Sequence, residues 1–239
     1  MGKRIITQRR GRGTFTYKSH SHRSKGKISN RQHDDAEKNG FINGKVIDLI
    51  HCSQHSAPLA VVKYADKEVI MPAVSGIKVN DVISSGSKAE LRDGNVLPLK
   101  DIPEGTDVCN IEISIGKPAF CRSAGTFAKI IGKVNNKVLI KLPSKKEMMV
   151  DQNCRAVIGM VSGGGKKEKP FVKAGNRHHL MRAKGKLYPK TSGVAMNAVD
   201  HPFGSGRGRH VGKTKIPSRY APPGRNIGLI RARRTGRNR

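Results

Sequence analysis

Tryptophan is absent from this 239-residue chain, and its aromatic side chains amount to six Phe and four Tyr. So few rings make a poor base-stacking platform of the kind single-strand binders use. Cysteine is scarce as well. Four residues make no disulfide framework, and a reducing compartment is the expectation. Apolar runs are short: LAVV at 59–62 falls far below the roughly 18 residues that cross a bilayer. The opening Met1-Gly2-Lys3-Arg4 is followed by no apolar core of a secretory leader, and Ile6 stands where a myristoylation signal wants Ser or Thr. A cytoplasmic protein with no membrane partner is therefore expected. The deepest shortage is of acid. Against 47 Lys+Arg there are 17 Asp+Glu, a formal net charge of +30. A surface so far from neutrality repels itself unless an anionic partner neutralises it, which excludes an ordinary metabolic enzyme. The expected partner is a polyphosphate, nucleic acid before an anionic membrane, since no amphipathic basic helix supports the latter.

The charge is concentrated at the two ends. Residues 1–40 hold 11 Lys+Arg and 3 Asp+Glu, residues 41–160 hold 16 and 12, and residues 161–239 hold 20 and 2. A near-neutral body thus lies between two basic arms. The last segment also carries 13 of the 27 glycines. Basic, glycine-rich sequence cannot bury enough apolar surface to offset its ordering entropy, so the tail is expected to be disordered when free. It is not of low complexity, however. His178-His179, Asn197, Asp200-His201-Pro202-Phe203 and Pro222-Pro223 give it an irregular texture suited to one defined path inside a partner.

The body reads as β. Short runs rich in Val and Ile recur at 45–50, 59–64, 68–71, 81–84, 108–113, 127–133, 138–142 and 155–161, and no long stripe of helical period appears. Asn135-Asn136 and Asp93-Gly94 are tight-turn signals. A division near 88–100 makes two small barrels of about five strands each; one barrel of eight or more strands is the alternative. A short helix is expected around 176–184.

Three motifs invite a chemical reading. Gly212-Lys213-Thr214 resembles the end of a phosphate-binding loop, but the required first Gly is Arg207; Gly165-Lys166 fails likewise, with Met160 and Lys167 at the key positions. Cys52 and His55 have ligand-like spacing, yet Cys109, Cys121 and Cys154 supply no second close pair, so no metal is expected. His201 follows Asp200 in a small, apolar tract. A general base oriented by Asp200 needs a nucleophile that the sequence does not name, and an RNA-contacting imidazole is preferred.

The remaining cations are interleaved with Gly over 207–215 and 225–239 with almost no carboxylate to pair them, so they await external anions. The candidate RNA contacts are Arg9, Arg10 and Arg12 in the first arm. In the second they are Lys173, Asn176, Arg177, His178, His179, Asn197, His201, Arg207, Arg209, His210, Lys213, Arg219, Arg225, Arg231, Arg233 and Arg234. A general nucleic-acid condensing protein would show simple repeated basic motifs, and the tract at 193–203 contradicts that reading.

That tract, GVAMNAVDHPFG at 193–204, resembles the signature of the universal large-subunit ribosomal protein L2 family. RAVIGMVSGGG at 155–165, KPFVKAGNRHH at 169–179, SAPLAV at 56–61, RRTG at 233–236 and the Gly2-Lys3-Arg4…Gln8-Arg9-Arg10 stretch are similar to its archaeal and eukaryotic branch. The resemblance implies a mainly β chain, with an OB-fold barrel followed by an SH3-like small barrel between extended basic arms. The implied boundaries are an arm at 1–40, an OB-fold at 41–90 that recruits residues from the arm, an SH3-like barrel at 91–165 and an arm at 166–239. It further implies large-subunit rRNA, neighbouring ribosomal proteins and the small subunit as partners, with roles in assembly, subunit joining and support of the peptidyl-transferase region. Neither a cofactor nor a small-molecule substrate is implied, and no residue of the chain is catalytic. One departure stands out. The family continues with three glycines after the His-Pro pair, whereas here Ser205 interrupts the run, at a place where φ > 0 costs Ser more than Gly.

Overall fold

The computed structural model describes residues 2–14, 17, 18, 20–65, 67–166, 168–208, 210, 211 and 216–226. The chain divides into two compact units, Ser21–Pro170 and a second made of Met1–His20 with Phe171–Arg239. Among the described residues the α-helices are α1 (Ile6–Arg9), α2 (Asp35–Asn39) and α3 (Ala174–Ala183). Among the described residues, no helix is long and apolar enough to cross a membrane.

Residues 21–170 form the β unit. Its strands are β1 (Phe41–Ile50), β2 (Leu59–Lys63), β3 (Glu68–Pro72), β4 (Val82–Gly86), β5 (Val96–Pro98), β6 (Asp107–Cys109), β7 (Ile111–Ser114), β8 (Lys117–Phe120), β9 (Ala128–Val134), β10 (Lys137–Lys141), β11 (Glu147–Asp151) and β12 (Arg155–Ile158). Every apolar run picked out in the sequence contains strand. The run at 108–113 is split, because Asn110 takes a left-handed φ of 47° between β6 and β7. β5, β8 and β11 were not expected. β5 is only three residues long, and the other two carry Lys, Pro, Glu and Asp. Asn135, at φ 52°, turns β9 into β10 with Val134 paired to Lys137, as the Asn-Asn signal implied.

Ten strands share one sheet in the order β11-β10-β9-β6-β12-β5-β4-β1-β2-β3, and β7 pairs with β8 apart from it. All ladders are antiparallel except β4 with β5. The edge strands β11 and β3 do not pair with each other, so the sheet is not a closed barrel. It nevertheless surrounds two separate cores. One is built on Val46, Val62, Val69, Met71 and Ile83, the other on Leu99, Val108, Ile130, Val138 and Ile140. The seam follows from the two-residue period of a strand. Along β5, Val96 enters the first core and Leu97 the second; along β12, Val157 enters the first while Ala156 and Ile158 enter the second. The chain is thus mainly β, with two cores consistent with an OB-fold and an SH3-like barrel in succession.

At the N-terminal end of β12 lies a buried ionic network. Arg155 is 1% exposed, Glu37 1% and Glu112 fully buried. Arg155 Nη1 donates to Glu37 Oε2 at 2.7 Å and to the Arg31 carbonyl at 2.7 Å, while Nη2 donates to Glu112 Oε1 at 2.8 Å. Ser85 Oγ donates to Glu37 Oε1 at 2.8 Å, and Asn30 Nδ2 donates to Glu112 Oε1 at 2.9 Å. These bonds tie residues 30–37 to β4, β7 and β12. The acidic partner Glu37 is carried by α2, whose start is capped by Asp34 accepting from the Glu37 N–H at 3.0 Å. Arg31 Nη2 donates to the same Asp34 carboxylate at 2.6 Å and holds it well below the usual range, at about 2.

The other unit is built on small local turns. α3 coincides with the helix expected at 176–184; it begins two residues earlier and has Lys184 as its C-cap. None of its residues is buried.

Candidate nucleic-acid interface

Residues 1–20 and 171–239 together contain 23 Lys+Arg and a single acidic residue, Asp200. The β unit, by contrast, holds 24 Lys+Arg against 16 Asp+Glu. The excess positive charge of the molecule therefore belongs mainly to one structural unit.

Within it, Arg9 ends α1, Arg10 follows as its C-cap and Arg12 lies just beyond; all three are exposed. The Arg10 guanidinium lies over the Tyr17 ring, 5.9 Å from its centroid. Lys173 is the N-cap of α3, and Asn176, Arg177, His178 and His179 lie on its exposed first turns. Arg177 lies 5.5 Å from the Phe171 centroid and 5.8 Å from that of Tyr188, an arrangement that stiffens a long cation without neutralising it. The His178 and His179 rings meet edge to face at 5.4 Å. Asn197, Arg207, His210, Arg219 and Arg225 are exposed as well. Among the described residues, none of these candidate cations meets a carboxylate. Arg209, Lys213, Arg231, Arg233 and Arg234 lie outside the described residues.

The tract at 193–205 is a closed loop held by its own backbone. A 3-10 turn, Gly193–Ala195, leads in. Asp200 and His201 both donate their N–H to the Asn197 carbonyl, at 2.9 and 3.1 Å, and the Ser205 N–H returns to the Met196 carbonyl at 3.2 Å. Gly204 packs so tightly on this loop that a Cβ would strike the Met196 and Asn197 carbonyl oxygens. The first arm reaches the same loop. The Lys3 N–H donates to the Val199 carbonyl at 3.0 Å, and Lys3 Nζ pairs with Asp200 at 3.3 Å. Asp200 thus pairs with Lys3, and the hydrogen bond that reaches the His201 ring comes from the Phe203 N–H. Lys3 was absent from the candidate set, because no spacing in the sequence links position 3 to position 200.

Ser205 adopts φ 86°, the left-handed region that the glycine run would have filled without cost. Ser205→Gly is expected to stabilise this loop by at most about 1 kcal/mol, offset in part by glycine's greater freedom when unfolded. Hydrogen exchange at the Ser205 amide, slower in the variant, would register it.

The cysteines form no comparable centre. His55 Nδ1 lies 3.1 Å from Cys52 Sγ. Burial pushes the Cys52 thiol up, but backbone N–H groups of Lys25, Gln54 and His55 and the His55 ring outweigh it and bring it down to about 6. Burial pushes Cys121 and Cys154 up to about 11 and raises Cys109 further. Among the described residues, no three His, Cys, Asp or Glu side chains assemble as metal ligands.

Comparison with known proteins agrees with this geometry. The family model "Ribosomal Proteins L2, C-terminal domain" matches residues 92–221, from the second core through the 193–205 loop and beyond. The chain is similar over its whole length to curated archaeal proteins named "Large ribosomal subunit protein uL2". It is 49% identical to that of Methanococcus maripaludis, over 99% of this chain and 100% of the relative. It is 48% identical to that of Methanothermobacter thermautotrophicus, over 100% of both. With the protein of Archaeoglobus fulgidus it shares 49% identity over 99% of both. A two-core β body, a cationic unit built from both chain ends, and full-length similarity at this level have one meaning: the chain belongs to the L2 family of large-ribosomal-subunit proteins.

Proposed function

We propose that this protein binds and stabilises large-subunit rRNA as a structural constituent of the cytoplasmic ribosome. The observation that carries the reading is the unit of 23 cations and one acid, whose described candidate Lys and Arg side chains are exposed and meet no carboxylate. Such a surface is neutralised only from outside, and densely packed phosphate supplies that charge. The aromatic shortage favours backbone and shape recognition of folded RNA over stacking on single strands. In this reading the OB-fold at 41–90 and the SH3-like barrel at 91–165 act as a stable body, and the arms at 1–40 and 166–239 follow the RNA. Roles in assembly, in joining the small subunit and in supporting the peptidyl-transferase region, beside neighbouring ribosomal proteins, fit the family. The peptide-bond chemistry lies in the RNA, and the chain has no catalytic residue, cofactor or small-molecule substrate.

Ultraviolet crosslinking of isolated large subunits tests the proposal. Crosslinked peptides should concentrate within 2–14 and 171–226. Crosslinks confined to 41–165 would reject the arms as the interface.

A further inference from the structure

Of the candidate contacts that the structure describes, His201 alone is half-buried, and its surroundings impose one protonation pattern on the ring. The Phe203 N–H donates to His201 Nδ1 at 3.1 Å. A backbone amide nitrogen is a donor only, so Nδ1 must offer its lone pair, and the neutral ring carries its single proton on Nε2. The plane of the ring is fixed from two sides. The Phe203 ring lies 5.0 Å away at 59°. Gly193 lies so close that a Cβ there would strike the imidazole. The His201 main chain is anchored in turn, its N–H donating to Asn197 and its carbonyl accepting from Gly204 at 2.9 Å. Asp200, the neighbour best suited to draw the proton to the other nitrogen, is held by Lys3.

We infer that the 193–205 loop locks His201 as the Nε2–H tautomer and presents that one N–H to a hydrogen-bond acceptor of folded large-subunit rRNA. The inference rests on the rRNA-binding reading above and goes further, since it names the atom and the polarity of the contact. Arg and Lys neutralise any phosphate within reach, whereas a neutral, oriented single donor accepts only a partner placed on its axis. His201 therefore contributes registration more than affinity. The same lock argues against proton abstraction by this ring: Nδ1 is engaged by Phe203 and Nε2 already holds a proton.

Two substitutions separate the nitrogens. In His201→Gln the side-chain amide nitrogen falls near the position of Nε2, preserving the outward donor. In His201→Asn the amide oxygen falls near Nδ1, preserving only the inward acceptor. The full-length chain and both variants are titrated against deproteinised large-subunit rRNA over a series of salt concentrations. The Gln variant should bind within about twofold of the parent and the Asn variant about tenfold more weakly, all three with the same salt slope, which shows the arms still engaged. Dimethyl sulfate probing then identifies the acceptor. Loss of protection at one base in the Asn complex marks a base acceptor, and unchanged base reactivity marks a phosphate or sugar oxygen; either accompanies the expected ranking. Equal binding of the two variants, or tighter binding by Asn, overturns the tautomer assignment while a steep parental slope leaves the rRNA reading standing. A parent that binds this rRNA no better than it binds transfer RNA overturns both.

Discussion

Raising monovalent salt from about 50 to about 200 mM should weaken binding of the full-length chain to large-subunit rRNA about 10,000-fold. The magnitude follows from the charge census of the arm unit, 23 Lys+Arg with Asp200 as their one acidic neighbour. Each phosphate neutralised releases about 0.7 to 0.9 of a counterion, depending on whether the strand is single or paired. If about eight of the cations are engaged, log K falls against log salt with a slope of about −6 to −7. The β unit would behave differently. Its 24 cations share their surface with 16 acids, and several are consumed internally, Arg155 and Arg31 by Glu37 and Lys38 by Asp35. A measured slope near −1 would mean that the arms do not bind RNA. Deleting residues 171–239 should reduce a steep slope by more than half.

The second large effect concerns stability. Arg155→Met is expected to destabilise the β unit by about 3 to 5 kcal/mol, because it leaves two buried carboxylates, Glu37 and Glu112, without their shared counter-ion. Arg31 stands 3.4 Å from Glu37 and relieves part of that charge, but it does not reach Glu112 in the described contacts. Urea unfolding of the full-length chain, followed by circular dichroism, would show the lower midpoint. Lys137→Met, at an exposed position at the start of β10, should stay within about 0.5 kcal/mol of the parent and serves as the control. A result for Arg155→Met as small as the control would mean that the network is not a determinant of stability. Replacing Arg155, Glu37 and Glu112 together by apolar residues of similar size should recover much of the loss, since desolvated ions are a cost as well as a bond.

Much of the architecture was legible in the residues. Alternating Val and Ile runs mark strands because successive side chains point to opposite faces, and the Asn135-Asn136 turn was readable because Asn tolerates a left-handed φ. β5, β8 and β11 were not, being short or polar at the positions where pattern alone would reveal them. The candidate interface was readable in the same partial way. Exposed cations with few acidic neighbours announce themselves by composition, and the described ones are exposed in the fold. Lys3 did not, since its partner Asp200 lies nearly two hundred residues along the chain.

By itself the sequence determined the class of protein: mainly β, strongly basic at both ends, built for a phosphate-rich partner and carrying the tract at 193–204. Those properties are local or additive, so counting and periodicity suffice to read them. Only the tertiary structure decided that residues 1–20 join 171–239 in one cationic unit, that Arg155 is consumed inside the β unit and that Asp200 answers to Lys3. It also decided that Phe203 and Gly193 set the proton on His201. Each of these depends on which distant groups share a few ångströms. Hydrogen bonds and ion pairs act only at that range, and no residue spacing along the chain encodes it.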